Sequence, residues 1–464
     1  MRVRLLRPAL LSAGFALITG GLVPLAATTP ASASTARPAA AQTRTARATA
    51  AQAGQGRSLA PATRFFVRPP DSGAVRQVVQ LLSKGDVKDA VLLTKMEATP
   101  QAVWLDGGTP AQVQQSVRKT MLEAAFQHAV PTFVAYDIPG RDCDQYSAGG
   151  APDQADYEAW IDGVAAGLGN GKAIVLLEPD SLGLLPSTCG ATNYPFTDAE
   201  RYAELNYAVT ALEQRPNVTV YLDGTHSAWL GVGQISQELV EAGVQQTQGF
   251  FLNVSNYQPT PELVDYGTWI SDCIAFASDP EQGGWRLGNY GYCASQYYPA
   301  TQSDFSTWDL STQWYAANLG TAVATTHFVI DTSRNGQGPN NMSAYAAAPY
   351  DQPSSVVSAL ATGNWCDPPG AGLGPTPTAN TGIPLLDAEL WVKTPGESDG
   401  QCDSAGGARA WDYADYSQPT WPTTAADQAL FDPLWGLDDP AAGNWFPSEA
   451  LQLAQNANPQ LSGH

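Results

Sequence analysis

The apolar residues of the chain follow two alternating patterns from about residue 75 onward. Short continuous apolar runs are typical of strands that are buried on both faces, whereas apolar residues three or four positions apart are typical of amphipathic helices. The continuous runs predict about seven strands: Asp89–Thr94, Thr132–Ile138, Ala173–Asp180, Val218–Asp223, Gly249–Asn256, His327–Thr332 and Glu389–Lys393.

Helical spacing predicts that most of these strands are separated by helices. The predicted helices are Val75–Leu82, Thr109–His128, Asp156–Leu168, Thr197–Gln214, Gln234–Glu241, Pro261–Ala277 and, at the end of the chain, Pro447–Ala457. Repeated strand–helix units favour an α/β fold with a parallel sheet that closes into a barrel, and an open doubly wound sheet is the alternative. No glycine-rich phosphate-binding motif follows a strand, so the usual signature of a nucleotide-binding fold is missing.

The first sixty or so residues have a different composition from the rest. Arginines up to Arg7 precede the apolar segment Ala9–Ala27, and small residues follow up to Ala33, which predicts a secretory signal peptide over 1–33. A membrane anchor is the alternative, which the glycines and proline of the segment disfavour. Residues 34–60 are predicted to be disordered, and 61–464 to form one large domain, although its length would permit two.

Charge and aromatic content narrow the class of partner. The formal net charge is −21, from 23 Lys and Arg against 44 Asp and Glu, and such a chain lacks the basic clusters that nucleic acids and anionic membranes require. The chain also has 13 Trp and 18 Tyr, several of them in polar loops. Aromatic rings in polar loops suit stacking on the apolar faces of neutral ligands such as sugars. We expect a secreted, extracellular monomer.

Six cysteines in an exported chain favour disulfides over metal ligation. Six cysteines allow 15 connectivities. Pairing of nearest neighbours closes the shortest loops and is the scheme that we predict: Cys143–Cys189, Cys273–Cys293 and Cys366–Cys402. The cysteines form no CxxC pair and the four His are scattered, so no metal or other cofactor is predicted.

Carboxylates follow several of the predicted strands, and the carboxyl ends of parallel strands meet at one face. These residues are Asp142, Asp180, Asp223, Asp331 and the pair Glu397 and Asp399. One such residue is most often a turn or cap residue, but crowded like charges destabilise a fold unless they have a use. The chain offers neither a nucleophilic serine elbow nor a plausible Cys–His pair. Paired carboxylates in an aromatic cleft are the groups that glycoside hydrolysis requires, and Asp142 would raise the pKa of Asp180.

The chain resembles the glycoside hydrolase family 6 cellulases from about Phe65 to Leu461. The motifs that carry the resemblance are YDIPGRDC, LLEPDSL, DGTHSAWLG, NVSNY, IDTSRNGQGP, NWCDPPGAGLG, LWVKTPGESDG and GNWFPSEALQLAQNANP. The resemblance implies a distorted (β/α) barrel and inverting hydrolysis of β-1,4-glucan, with cellulose as the partner. It is also compatible with the predicted disulfides, of which Cys273–Cys293 is an addition to the family's pattern.

The resemblance implies a role for each matched residue. Asp180 matches the general acid, Asp142 the carboxylate that modulates its pKa and assists the water, and Asp399 a candidate base that Lys393 and Arg334 could hold in a salt bridge. Substrate contacts are implied for Tyr136, Asp223, His226, Trp229, Asn256, Trp365, Lys393 and Glu397.

Two positions depart from the family pattern. A serine that often holds the water is replaced by Ala148, with Ser147 beside it, and the segment FFVRPPDSGA lacks a tryptophan that some members use at a far subsite.

Two long loop passages bear on the mode of attack. The loops that follow Asp279 and Asp399 are long enough to roof a cleft into a tunnel, so we expect an exo-acting cellobiohydrolase that releases cellobiose, with an open-cleft endoglucanase as the alternative. The resemblance implies that cellobiose is released from the non-reducing end. A non-catalytic glucan-binding protein would not need both Asp142 and Asp180. A mannanase-like or chitinase-like specificity is a weaker option, since no DxxDxDxE run is present.

Overall fold

Seven parallel strands form one sheet whose hydrogen-bonded order follows the order of the chain. The computed structural model describes residues 59–190, 194–280 and 284–461. The strands are β1 Val103–Leu105, β2 Thr132–Ala135, β3 Ala173–Leu177, β4 Val218–Asp223, β5 Gly249–Leu252, β6 His327–Asp331 and β7 Leu386–Leu390. Each strand pairs in parallel with the next, which requires a crossover between them.

Helices supply most of these crossovers and cover the outer face of the sheet. They are α1 Ser72–Lys84, α2 Val87–Glu97, α3 Pro110–Phe126, α4 Gln154–Leu168, α5 Asp198–Glu213, α6 Val232–Glu241, α7 Thr260–Ser278, α8 Asp309–Asn318, α9 Ser354–Thr362, α10 Ala425–Leu430 and α11 Pro447–Gln455. Capping boxes at Thr109 and Thr197 fix the first turns of α3 and α5.

The sheet curls until its two edges meet. The backbone N–H of Ala102 donates to the carbonyl of Trp391 at 2.9 Å, and the indole of Trp104 donates to the carbonyl of Val392 at 2.8 Å. These bonds replace a regular ladder between β1 and β7. The strand order has no reversal, so the open doubly wound alternative is excluded and the predicted distorted (β/α) barrel with seven parallel strands is confirmed.

Both faces of the strands are apolar because they face two separate cores. Inside the curled sheet, Val134, Leu176 and Val329 pack together, whereas Phe133 and Val175 pack outward against the helices. Successive side chains of a strand point to opposite faces, so a strand that is buried on both faces needs a continuous apolar run. This packing explains why the runs, rather than an alternating pattern, identified most of the strands.

The predicted strand Asp89–Thr94 is wrong, because this segment lies within helix α2. Ala90, Leu93 and Met96 are buried and Val91 is exposed, which is helical spacing, and Leu93 and Met96 pack on α11. A helical period can be mistaken for a strand when the apolar run is short. The true first strand, Val103–Leu105, has only three residues.

Other boundaries differ by a few residues, and β7 begins three residues before its predicted start. Helices α8, α9 and α10 lie in passages that the sequence pattern left irregular.

The six cysteines are paired as the sequence suggested, in Cys143–Cys189, Cys273–Cys293 and Cys366–Cys402. The signal-peptide prediction and most of the predicted disordered segment lie outside the described residues. In the described ranges no helix combines the length and the apolar character needed to cross a membrane.

The contact between α3 and α4 depends on a glycine, and Gly163→Ala tests it. Alanine normally favours a helix by about 1 kcal/mol over glycine. Here a Cβ would lie 2.4 Å from the carbonyl oxygen of Pro110, which is backbone and cannot move alone. We expect the overpacking to exceed the helix gain, so that Gly163→Ala lowers the free energy of unfolding in urea by about 1–2 kcal/mol. Gly190→Ala, where no atom lies within 4 Å, is the control. A higher urea midpoint for Gly163→Ala would contradict this packing.

Candidate active site

A cavity of about 940 Å³ opens at the carboxyl ends of the strands. All the residues predicted as catalytic or substrate-binding line it except Asp223, and they are Tyr136, Asp142, Asp180, His226, Trp229, Asn256, Trp365, Lys393, Glu397 and Asp399. The parallel topology gathers them, because each follows or closely follows the end of a strand or lies in a loop that covers those ends. Of the five carboxylates that line the cavity, all except Asp106 were visible in the sequence as acidic residues that follow predicted strands.

The backbone around two of the carboxylates is held in the left-handed region. Asp142 has φ 60° and Asp180 has φ 65°, and Glu178, which directly follows β3, has φ 53°. Such conformations cost a non-glycine residue of the order of 1 kcal/mol or more, and the surrounding structure must impose them. Here the Glu178 carboxylate accepts the backbone N–H groups of Asp137 at 3.0 Å and Ile138 at 3.1 Å. Glu178 thus joins the loop after β2 to the loop after β3.

The surroundings of Asp180 favour its protonated form. Desolvation and the negative charges of Asp223, Asp142 and Asp399 raise its pKa well above the usual range. No cation is among the groups that shift it. A raised pKa favours the protonated carboxyl group, which is the form that a general acid needs.

Asp223 lies outside the lining of the cavity, where its carboxylate contacts the backbone of the loop after β3. It is the last residue of β4 and is almost fully buried. Burial raises its pKa to about 7, although backbone N–H groups oppose the rise, including that of Thr225 at 2.9 Å from Oδ1. Asp223 therefore acts on Asp180 through its charge.

Asp142 is held by the backbone of the loop that contains Ser147. Its Oδ2 accepts the backbone N–H of Ser147 at 2.7 Å, and Ala148 lines the cavity next to it. Burial raises the pKa of Asp142 to about 6, the N–H bond and Arg141 lower it, and Asp399 raises it further. In the sequence Ser147 stood out for its hydroxyl group, but the contact to Asp142 is made by its backbone.

Asp399 has the opposite electrostatic surroundings. Its Oδ2 lies 2.8 Å from Nη1 of Arg334 and its Oδ1 lies 3.0 Å from Nζ of Lys393. Burial alone would raise the pKa of Asp399, but these cations hold it well below the usual range. A carboxylate stabilised in this way is a weak base.

A further carboxyl group, Asp367, organises this cluster and was not singled out from the sequence. Its oxygens accept the backbone N–H of Asp399 at 2.9 and 3.1 Å and the hydroxyl of Ser398 at 2.7 Å. Arg334 contacts Asp367 and Glu449 as well as Asp399, each through Nη1. Asp367 lies in the motif NWCDPPGAGLG, but its partner is 32 residues away, so the sequence could not show what it holds.

Tyr136 is fixed between a cation and an aromatic edge. The guanidinium of Arg141 lies 4.5 Å from the centre of its ring, and Trp104 contacts it edge-on at 5.3 Å. Arg141 also donates to the carbonyls of Ser147 at 2.8 Å and Asp106 at 3.1 Å. Trp104 and Arg141 line the cavity but were not predicted as site residues, since neither belongs to a strand-end carboxylate pattern.

The remaining lining residues provide aromatic faces and neutral hydrogen-bonding groups. His226 accepts the N–H of Ala228 through Nδ1 at 3.2 Å, and burial lowers its pKa to about 4, so the ring is neutral. The rings of His226 and Trp229 are 5.6 Å apart, and Trp365 lies 6.0 Å from Tyr146. Glu397 forms a salt bridge with Arg68 at 3.5 Å. In the described part of the chain no group of three His, Cys, Asp or Glu side chains could hold a metal ion.

Three known proteins are similar to this chain over most of its length. Endoglucanase A of Cellulomonas fimi is 30% identical over 398 residues, which cover 86% of this chain and 62% of that protein. Endoglucanase 1 of a Streptomyces species (strain KSM-9) is 32% identical over 337 residues, which cover 71% of this chain and 73% of that protein. The 1,4-beta-D-glucan cellobiohydrolase C of Emericella nidulans is 28% identical over 420 residues, which cover 86% of this chain and 78% of that protein.

Solved structures of similar proteins show the same fold. The endoglucanase Cel6 from Mycobacterium tuberculosis, in complex with methyl-cellobiosyl-4-deoxy-4-thio-beta-D-cellobioside, has a TM-score of 0.56 and 30% identity, and the alignment covers 85% of this chain and 97% of that one. The model of the family "Glycosyl hydrolases family 6" matches residues 60–457. Because this match covers most of the chain, including all the strand ends that line the cavity, the protein belongs to glycosyl hydrolase family 6.

Proposed function

We propose that the protein hydrolyses β-1,4-glucosidic bonds of cellulose with inversion at the anomeric carbon. The observation that carries this proposal is the presence of Asp180 and Asp142 in the wall of one aromatic cavity, where desolvation and the charge of Asp142 both raise the pKa of Asp180. Asp180 donates its proton to the glycosidic oxygen as the bond to the anomeric carbon breaks. A water molecule attacks that carbon from the opposite face and gives up its proton to a base.

We propose Asp142 as the residue that receives the water's proton, by way of a second water. Its pKa of about 6 makes it a better proton acceptor than Asp399, whose ion pairs with Arg334 and Lys393 stabilise the charged form. Asp399 then has a supporting role, since its charge raises the pKa of both Asp142 and Asp180. The pKa is thus the property that separates Asp142 from Asp399 as candidate bases.

The substrate class follows from the lining of the cavity and from the relatives. Trp229, Trp365 and Tyr136 offer faces for sugar rings, and His226 and Asn256 offer neutral hydrogen-bonding groups. We infer that Tyr136, fixed by Arg141 and Trp104, presses on the sugar whose bond is cleaved. The relatives named endoglucanase and 1,4-beta-D-glucan cellobiohydrolase support a β-1,4-glucan as substrate. The disulfides suit a secreted, extracellular enzyme.

We favour exo attack with release of cellobiose from the non-reducing end. Ala442 and Gly443, from the long passage after Asp399, line the cavity, so that passage forms part of its wall. Its position is fixed by the Cys366–Cys402 disulfide and by a fully buried ion pair between Arg409 and Asp432 at 2.9 Å. A fixed wall over a cleft suits a retained chain end. Endo attack is the alternative, favoured by the relatives that are named endoglucanases.

Asp180→Asn tests the general acid. The amide keeps the size of the side chain but has no acidic proton to transfer, so we expect kcat on cellotetraose to fall by about 10²–10⁴. Binding of a β-1,4-glucan should change little, since the shape and polarity of the cavity remain. Asp86→Asn, on an exposed side chain outside the cavity, is the matched control and should be fully active. Near-normal hydrolysis by Asp180→Asn would show that the acid is misassigned.

The pH dependence of kcat/KM tests the base. A base must be deprotonated, so activity is lost as the pH falls through its pKa. If Asp142 is the base, the acid limb of the profile should lie at about pH 6. An acid must be protonated, so activity is lost at high pH as Asp180 ionises above the usual range for aspartate. In Asp399→Asn the acid limb should persist and move to lower pH, because the charge of Asp399 raises the pKa of Asp142. Loss of the limb in Asp399→Asn would identify Asp399 as the base.

Carboxymethylcellulose distinguishes the two modes of attack. Exo release shortens chains from one end, so we expect soluble reducing sugar, mostly cellobiose, to accumulate with little fall in viscosity. A rapid fall in viscosity at low sugar release would overturn the exo proposal in favour of an endoglucanase.

A further inference from the structure

Strongly exposed aromatic side chains are concentrated in one segment of the protein. Among the described residues every such side chain except Phe126 lies between positions 285 and 305. We call three of these residues the rim aromatics: Tyr297, Tyr298 and Phe305. The other two, Trp285 and Tyr292, pack against each other beside Phe276 at the C-terminal end of α7, which lies at the opposite end of the strands from the cavity. The exposed fractions of the rim aromatics range from 45% to 80%, the highest being that of Tyr298. A concentrated set of exposed aromatic rings is a common mark of a binding surface.

The backbone that carries the rim aromatics is firmly anchored. Cys293 forms a disulfide with Cys273 of α7. The hydroxyl of Tyr315 donates to the carbonyl of Ala294 at 2.8 Å, and the indole of Trp308 donates to that of Thr301 at 3.2 Å. Anchoring of this kind keeps the rings in water even though burying them elsewhere would release free energy. The fold itself therefore holds these rings in water, and their exposure does not result from a loosely held backbone.

The rim aromatics adjoin the catalytic cavity at Trp229. The hydroxyl of Tyr297 donates to the carbonyl of Trp229 at 2.8 Å, and the amide of Gln296 donates to the carbonyl of Leu230 at 2.9 Å. Gln302, between Tyr298 and Phe305 in the chain, lines the cavity itself. The exposed rings are thus continuous with a wall of the cavity.

The chemistry of this surface fits an uncharged, hydroxyl-rich ligand. In the described residues 284–308 the only charged side chains are Arg286 and Asp304, although the chain as a whole has a net charge of −21. Glutamine and serine side chains lie among the rings in the sequence. A single flexible chain of sugars can follow such a surface.

We propose that the rim aromatics bind a β-1,4-glucan chain outside the catalytic cavity, as a continuation of its Trp229 end. The proposal rests on the proposed function for the identity of the ligand. A substrate long enough to reach past Trp229 would contact these rings, whereas a short oligosaccharide bound in the cavity would not. The surface would thus increase affinity for polymers without taking part in bond cleavage.

Tyr298→Ala and Phe305→Ala test the proposal with hydroxyethylcellulose as an uncharged polymer. Affinity electrophoresis in gels that contain the polymer measures binding, in the Asp180→Asn background so that the polymer is not cut. We expect each variant to bind about two- to tenfold more weakly, as for loss of one aromatic contact. In the otherwise wild-type enzyme, KM for the polymer should rise while kcat/KM on cellotetraose stays unchanged.

Phe126→Ala is the matched control. Phe126 is 89% exposed and ends α3, shortly before β2 begins, so it lies at the opposite end of the strands from the cavity. Equal loss of polymer binding in Phe126→Ala would show non-specific adsorption and overturn the proposal. Unchanged binding in both rim variants would also overturn it. Tyr298→Ala guards against misfolding by Phe305→Ala, since Phe305 packs against Trp308 while the ring of Tyr298 is largely in water.

Two further measurements separate this proposal from its alternatives. Sedimentation of the free protein shows whether the surface instead binds a second copy of the chain: an association that Tyr298→Ala abolishes, with polymer binding intact, would overturn glucan binding. Hydrolysis of cellotetraose by the wild-type protein tests the proposed function separately. If that hydrolysis fails while the rim variants still weaken polymer binding, the active-site assignment is at fault and the rim surface stands.

Discussion

The unequal distribution of cations among crowded carboxyl groups determines the chemistry of this protein. Asp142, Asp180, Asp223 and Asp399 influence one another at the strand ends, and Arg334 and Lys393 both pair with Asp399. Asp399 is therefore stabilised as an anion, whereas the charges of Asp223, Asp142 and Asp399 raise the pKa of Asp180. One face of the barrel thus shifts the pKa values of two aspartates in opposite directions. The environment, rather than the residue type, decides the direction of each shift.

This distribution requires a rigid support, because like charges and strained backbone both oppose folding. The support comes from buried groups that join neighbouring loops: Glu178 holds the loop after β2, and Asp367 holds the backbone of Asp399. The disulfide Cys366–Cys402 begins and ends beside the same cluster. The loops that carry the catalytic groups are consequently among the best anchored parts of the molecule. The segment of the rim aromatics is anchored in a similar way, by Cys273–Cys293.

The sequence predicted the parallel sheet and its strand ends wherever a strand had four or more residues buried on both faces. It failed at the edge, where a helical segment, Val87–Glu97, resembled a strand and the real first strand, Val103–Leu105, was too short to detect. The sequence pattern was limited in the same way for the residues of the site. Asp142, Asp180 and Asp399 were found because each follows a strand, whereas Asp367, Arg141 and Trp104 act through contacts that a linear pattern does not contain.

By itself the sequence determined the fold class, the family and the face of the barrel where the carboxylates meet, because burial on both faces leaves a continuous apolar run and parallel strands share one direction. The tertiary structure alone decided in which direction burial and neighbouring charges shift the pKa of each carboxyl group, that Asp223 does not line the cavity, and that Asp367 holds Asp399. These outcomes depend on desolvation and on distances of about 3 Å between residues far apart in the chain. Such distances exist only after the sheet has curled and its edges have met.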